Sequence, residues 1–405
     1  MGYNRFMKPK IALVAPLVYP IGPPFSGGAQ VVVYDLARGL TERGYDLHLF
    51  VAPGSNVPGV RLVEVEVDPF ALQPATFTAQ GEQQGTLAEA FYLSSDAFRR
   101  AFLEIHDSQP PFDLVHCHAF DYPAYTLASF AHSRARPIHT LHLPAVDPAI
   151  NRSLASLQAT TARFAPASRP ALVTVSQRCA ATYTAVGVAI ERVIYNGVAE
   201  GIPYRAQAED DHLLFVGRIA PEKGAATAIR VAQASGRRLL MLGAIYDQQY
   251  YRSQVAPHLG AQIEHRGAVS REQVYDEMGR AAALLFPVAW DEPFGLVAAE
   301  AMAAGTPVLA YARGALPEIV VDGESGYLLP ADDEAGLIAA VGRVGQLERA
   351  ACHAAAVRRF SLSAMLDAHE SLYTDLLAEA GLGDELANDR QSRVVRVGSG
   401  VVDPA

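Results

Sequence analysis

The feature that most limits what this chain can become is an alternation repeated along its length. Short apolar runs end in Gly- or Pro-bearing loops, and a helical stretch with one polar face follows. Ile11–Ala15 is such a run. Ala29–Leu40 is the helix after it, with Asp35, Arg38 and Glu42 on its polar side and Gly44 as its stop. Asp46–Val51, Asp113–Cys117, Pro137–Leu141, Ala171–Val175 and Glu191–Ile194 continue the series. Runs that are apolar on both faces suit a parallel sheet covered by helices on both sides. The pattern pauses in Gly, Pro and acidic residues over Asn196–Asp211, then restarts with His212–Val216, the helix Gly224–Ser235 and Arg238–Leu242. Ala261–His265, Ala282–Phe286 and Pro307–Ala310 follow. The expected fold is therefore α/β, two doubly wound domains with a hinge near residues 197–211. Ligands of such sheets bind in the cleft at the strand ends.

Composition narrows the function classes. Lys plus Arg number 33 and Asp plus Glu 43, a net charge of −10, which speaks against a general nucleic-acid surface while leaving room for a local phosphate pocket. The three cysteines, Cys117, Cys179 and Cys352, are widely spaced and imply neither a disulfide framework nor a zinc motif. The first apolar run is too short for a signal peptide. No window reaches the roughly 18 apolar residues of a membrane span, so the expected location is the cytoplasm. Asp68–Ala90, rich in Gln, Thr and Gly, reads as a loop, and Glu385–Ala405 as a polar tail.

Four segments could carry chemistry. The first is Trp290 to Gly305, where Pro293 suits a helix start and Gly305 its end. Glu300 is the polar exception on this helix. A carboxylate there is costly unless paired, and two neighbouring ligand hydroxyls would satisfy it. Glu292 precedes the helix, and the N–H groups of Phe294, Gly295 and Leu296 lie at its N-terminus. The plainer alternative is that Glu292 complements the helix dipole and Glu300 is solvated.

The second segment, Leu213 to Gly224, has Arg218 and Lys223 flanking a strand-to-helix turn, two cations suited to a diphosphate or merely exposed in a loop. The third, Gly22 to Ala29, follows the first strand, and Gly27 and Gly28 let its backbone approach a ligand. It lacks the Gly-x-Gly-x-x-Gly fingerprint, and no acidic residue ends the second strand, which counts against a dinucleotide-dependent oxidoreductase. The fourth, Phe112 to Phe120, places His118 just past a strand end. His116 shares its strand face, and with His139 or His142 the pair could in principle ligate a metal; a hydrogen-bonding wall histidine is the alternative.

In this order the segments resemble the retaining glycosyltransferases of family 4, which have the GT-B fold of two facing Rossmann-like domains. The Glu292-x7-Glu300 pair is that family's signature. Gly217-Arg218 with Lys223-Gly224, Asn196-Gly197, Gly267 before the helix Arg271–Gly279, and Pro317-Glu318 with Gly323 and Gly326 fit its pattern as well. The match runs from about Ile11 to about Ala380.

The resemblance implies an acceptor-side domain over 1–200, a nucleotide-sugar domain over 201–360, a helix over 361–380 crossing back to the first domain, and a tail over 381–405. It also implies roles. Glu300 would hold the ribose of a UDP- or GDP-type sugar, while Arg218 and Lys223 would hold its diphosphate with the backbone near Gly27, Gly28 and Leu296. Glu292 and the Phe294–Gly295 backbone would contact the donor sugar, with His118 on the opposite wall. Gly243, Ala268 and Val269 would border the base, and Asp121 and His142 the sugar or acceptor side.

Transfer would proceed by same-face attack without a covalent intermediate, unlike a retaining hydrolase with its close carboxylate pair. With no Asp-x-Asp motif in the donor loop, no metal or other cofactor is expected. The acceptor would be a hydroxyl on a sugar, a small molecule or a lipid-linked molecule. Peripheral membrane contact stays open, with Arg99-Arg100 beside Phe98 and Phe102 the one basic, apolar patch. The alternatives are a GT-B-like sugar-nucleotide epimerase and a non-catalytic sugar-nucleotide-binding protein.

Overall fold

The structure is a computed structural model, and it describes residues 8–25, 27–68, 87–120, 122–129 and 133–382. Asp121, nearly all of the 68–90 segment and the tail after Leu382 lie outside the described residues.

The first half runs β1 (Lys10–Val14), α1 (Gly28–Glu42), β2 (Asp46–Val51), β3 (Arg61–Glu64), α2 (Leu87–Asp107), β4 (Leu114–Cys117), α3 (Tyr122–Ala128), β5 (Ile138–Leu141), α4 (Pro148–Phe164), β6 (Ala171–Thr174), α5 (Gln177–Thr184) and β7 (Arg192–Val193). The second half runs β8 (Leu213–Val216), α6 (Ala225–Ala234), β9 (Leu239–Leu242), α7 (Gln248–Tyr250), β10 (Ile263–His265), α8 (Arg271–Arg280), β11 (Ala283–Phe286), α9 (Leu296–Ala303), β12 (Val308–Tyr311), α10 (Leu316–Ile319), β13 (Gly326–Leu329), α11 (Glu334–Val341), α12 (Arg349–Phe360) and α13 (Leu362–Glu379).

The strands form two separate parallel sheets, ordered β3-β2-β1-β4-β5-β6-β7 and β10-β9-β8-β11-β12-β13. Both reverse direction of growth at their first strand, the doubly wound order, so each has a switch point: β1/β4 in one and β8/β11 in the other. The uniform apolarity of the runs has its reason here. Leu13, Leu49, Leu114 and Val173 pack on one face of the first sheet with Leu36 and Leu40 of α1 and Leu372 of α13. Val14, Phe50 and Val115 pack on the other face with Phe98 and Phe102 of α2. β3 and β13 were not read from the sequence. β3 is an edge strand with no fully buried residue, and β13 is a short edge strand whose last two residues are only half-buried, so neither carries the full apolar signal.

Helix α13 lies on the first sheet although it ends the described chain. Leu366 rests on Gly39 of α1, where a Cβ would sit 2.6 Å from Leu366 Cδ1. Arg43 Nη1–Asp367 Oδ1 (2.7 Å) and Arg192 Nη2–Asp375 Oδ2 (2.8 Å) flank that seam.

The residues of the basic patch on α2 have partners within the fold. Phe98 and Phe102 are buried, Asp96 engages both Arg99 and Arg100, and Glu66 engages Arg100. The two rings and the two cations of this patch are thus engaged within the fold, while Tyr92 earlier on the same helix is exposed. Among the described residues no helix is long and apolar enough to cross one.

Candidate active site

Every described candidate residue follows a strand end at or near a switch point. Gly27 and Gly28 come after β1, His118 after β4 and His142 after β5. Arg218 and Lys223 come after β8, Gly243 after β9, Ala268 and Val269 after β10, and Glu292 through Glu300 after β11. Sheet topology thus gathers segments that the sequence scatters over nearly three hundred positions.

The turn before α9 is tightly constrained. Gly295 caps the helix at φ 93°, the left-handed region, where a Cβ would also meet Leu316 Cδ2 at 2.9 Å. Gly314, at φ 56°, lets the next loop press on Glu292: a Cβ there would lie 2.3 Å from both the nitrogen and the carbonyl oxygen of Glu292. The Ala315 N–H donates to that oxygen at 2.8 Å.

The Glu292 side chain is fixed as well. Lys223 Nζ donates to Oε2 at 2.8 Å and Trp290 Nε1 donates to the same oxygen at 2.7 Å. Lys223 also lies 4.8 Å from the Trp290 ring centroid. Both fixed donors fall on one oxygen. Glu292 is therefore more than a complement to the helix dipole. Arg218 stacks on Tyr246 at 4.4 Å and reaches Glu222 at 3.4 Å. Burial raises the pKa of the Tyr19 hydroxyl, and the Arg218 charge pulls it back, so the loop after β1 faces this cation.

Glu300 is 7% exposed, which removes the solvated alternative. Its Oε1 accepts from the Tyr275 hydroxyl at 2.9 Å and lies 3.4 Å from Arg271 Nη2. Arg271 forks Asp35 of α1 at 3.1 and 2.8 Å and also bonds the Tyr275 hydroxyl. Burial pushes the Glu300 carboxyl upward, opposed by the Arg271 charge and the Tyr275 hydrogen bond. Burial alone would favour a neutral Arg271. The Asp35 hydrogen bonds and charge outweigh it and hold the guanidinium more firmly protonated than usual. The sequence reading missed both partners of Glu300. It put Asp35 on the polar side of its helix; the structure buries Asp35 to 6% exposure against the other domain.

The histidines form a buried group on the first domain. His118 Nδ1 and His142 Nε2 are 2.9 Å apart, and His118 Nε2 is buried without a partner. His116 lies between the Tyr373 and Thr140 hydroxyls, each at 2.8 Å, so α13 holds it in the core. His139 Nε2 donates to the Ala119 carbonyl at 2.7 Å. Burial first, and then mutual repulsion, drives His116 and His118 well below the usual imidazole pKa, and pushes His142 down to about 3. His118 is therefore a neutral hydrogen-bonding group. Among the described residues no group of three or more His, Cys, Asp or Glu side chains is arranged to hold a metal ion.

Two family models together match most of the chain: glycosyltransferase family 4 over residues 26–200 and glycosyl transferases group 1 over residues 203–356. The chain belongs to glycosyltransferase family 4. The enzyme is 29% identical over 351 residues to a glycogen synthase of Mycobacterium tuberculosis, covering 80% of this chain and 83% of that one. Among solved structures, sucrose-phosphate synthase from Thermosynechococcus elongatus matches with a TM-score of 0.74 at 20% identity, covering 92% of this chain and 100% of that one. The Anabaena protein Alr3699/HepE in complex with UDP-glucose matches with a TM-score of 0.68 at 18% identity, over 91% of this chain and 100% of that one. These structures share the GT-B fold. The protein is thus a nucleotide-sugar-dependent glycosyltransferase.

The domains of this glycosyltransferase are also clasped beyond the Arg271–Asp35 contact. Glu318 on α10 accepts from the N–H groups of Gln177 and Arg178 at 2.9 and 2.6 Å, and from the Tyr195 hydroxyl at 3.0 Å. Ser176 donates to the Pro293 carbonyl at 2.6 Å. The sequence marked Glu318 as part of the family pattern without indicating that its partners lie in the other domain.

Proposed function

We propose that this enzyme transfers a hexosyl group from a UDP-type sugar to a hydroxyl acceptor with retention of anomeric configuration and without a metal. The observation that carries the reading is the way the two carboxylates are held. Each takes its fixed side-chain donors on one oxygen, Glu292 on Oε2 and Glu300 on Oε1. The other oxygen of each is available to ligand hydroxyls, of the donor sugar at Glu292 and of the ribose at Glu300. His118 Nε2, buried and without a partner, suits a further sugar hydroxyl.

In the proposed reaction the bond from C1 of the sugar to the diphosphate oxygen breaks as positive charge builds on the ring. Arg218, Lys223 and the N–H groups at the start of α9 stabilise the departing diphosphate, taking over the charge-neutralising task of a metal. The acceptor oxygen forms its bond to C1 on the same face. Its proton passes to the phosphate oxygen that leaves. UDP is preferred as the donor nucleotide because the structural relative described above was crystallised with UDP-glucose.

The test mixes the purified enzyme with UDP-, GDP-, ADP- and TDP-sugars and an acceptor panel, with and without chelator. Product anomers are read by NMR. The expected result is thermal stabilisation by UDP and a product of unchanged anomeric configuration, both insensitive to chelator. Inversion at C1, or loss of activity that added metal restores, would refute the respective part of the proposal.

A further inference from the structure

The sharpest electrostatic anomaly of the molecule lies between the domains. Asp35 and Glu300 are both buried and come from facing domains, and one guanidinium, Arg271, serves them both. The three groups carry one net negative charge. Arg271 occupies the first position of α8, and a capping box fixes that helix start: Ser270 Oγ accepts from the Gln273 N–H while the Gln273 side chain accepts from the Ser270 N–H. Arg271 is therefore anchored at its backbone, and its fork can only be shared between the two carboxylates within reach.

The sharing is unequal. Two hydrogen bonds of 3.1 and 2.8 Å go to Asp35, and one long contact of 3.4 Å goes to Glu300. A buried guanidinium deprived of its main carboxylate turns to the remaining one. Without the Asp35 charge, Arg271 would fork Glu300 and occupy the oxygen that otherwise stays available.

We infer that Asp35 is a positioning residue for the donor site: by drawing Arg271 away from Glu300 it keeps the Glu300 carboxylate open to the donor nucleotide. Because Asp35 belongs to the opposite domain, the bond forms only when the domains approach. Donor affinity and domain closure are then linked, and each favours the other by the same factor. The inference rests on the proposed role of Glu300 in holding the ribose.

The experiment measures nucleotide affinity by calorimetry for the full chain and for Asp35→Asn, Glu300→Gln and the double variant. The probe is whichever of UDP, GDP and ADP binds the wild type most tightly. Asp35→Asn is expected to weaken binding about tenfold in the wild-type background and less than twofold beside Glu300→Gln, since Asp35 acts through that carboxylate. A merely structural role would give the same loss in both backgrounds, and that result overturns the inference. So does an Asp35→Asn affinity within twofold of wild type while Glu300→Gln binds weakly; the ribose reading then survives alone. A Glu300→Gln affinity equal to wild type removes the ribose reading and the inference with it. Should Asp35→Asn fail to fold, Asp35→Ser with and without Glu300→Gln provides the same comparison.

Discussion

Acidification should strip this enzyme of stability through one region, the buried histidines beside α13. His139 and His142 are held down to about 3 and His369 to about 4, all three primarily by burial, and His116 and His118 lie well below the ordinary 6.5 for the same reason. In the unfolded chain each ring takes a proton as the pH drops through 6.5, whereas in the folded protein the rings stay neutral until far lower. The unfolded state binds more protons across that interval, so stability falls as pH falls. Between pH 7.5 and 5.5 each of the rings held at about 3 to 4, those of His139, His142 and His369, contributes a loss of about 1.4 kcal/mol. That figure depends on the unfolded pKa alone, provided the folded value stays below about 4.5. Those three rings give roughly 4 kcal/mol, a large share of the stability of an ordinary domain, and His116 and His118 act in the same direction. His48 and His212, also lowered by burial, act in the same direction.

Scanning calorimetry at the two pH values reads the effect. At about 2–4 °C per kcal/mol for domains of this size, the first-domain transition should drop by roughly 8–16 °C. His369→Leu isolates one ring. His369 donates from Nδ1 to the Met365 carbonyl within its own helix, and its Nε2 is buried without a partner. The leucine variant should therefore be as stable as wild type at pH 7.5 and lose about 1.4 kcal/mol less at pH 5.5. A wild-type transition that moves by less than about 5 °C, or a leucine variant with an unchanged pH dependence, would refute the reasoning.

Two further outcomes follow from the contacts around the cleft. Gly314→Ala places a Cβ 2.3 Å from the Glu292 backbone at a left-handed φ, and should cost about 3 kcal/mol while weakening nucleotide binding, read by calorimetry of unfolding and of binding; a neutral effect would mean that the loop does not set Glu292. Glu318→Ala leaves two N–H groups at the start of α5 and the Tyr195 hydroxyl without their shared acceptor, and should lower the melting temperature by roughly 5 °C; an unchanged value would show that this clasp contributes nothing to stability.

Much of the fold was legible because it is local. Asp46–Val51 and the core of each other apolar run fall within a residue or two of the observed strands, chiefly because a central strand buried on both faces must be apolar throughout. The edge strands β3 and β13 were missed for the complementary reason, as half-exposed strands need no such run. In the site, Glu292, Glu300, Arg218 and Lys223 stood out because charge at a strand end or on an apolar helix is locally conspicuous. Asp35 and Arg271 did not, and Glu318 stood out only as part of the family pattern. Each is an unremarkable charge on its own helix and acquires meaning only from its partner in the other domain.

The sequence by itself therefore determined the two doubly wound sheets, the strand-end segments that hold the candidate residues and the family to which the enzyme belongs. These follow from apolar patterning and short motifs, which neighbouring residues specify. Only the tertiary structure decided which charges meet: Lys223 with Glu292, Arg271 between Asp35 and Glu300, and Glu318 against α5. Pairing across domains depends on distances of a few ångströms between residues up to 236 positions apart, and no local pattern encodes them.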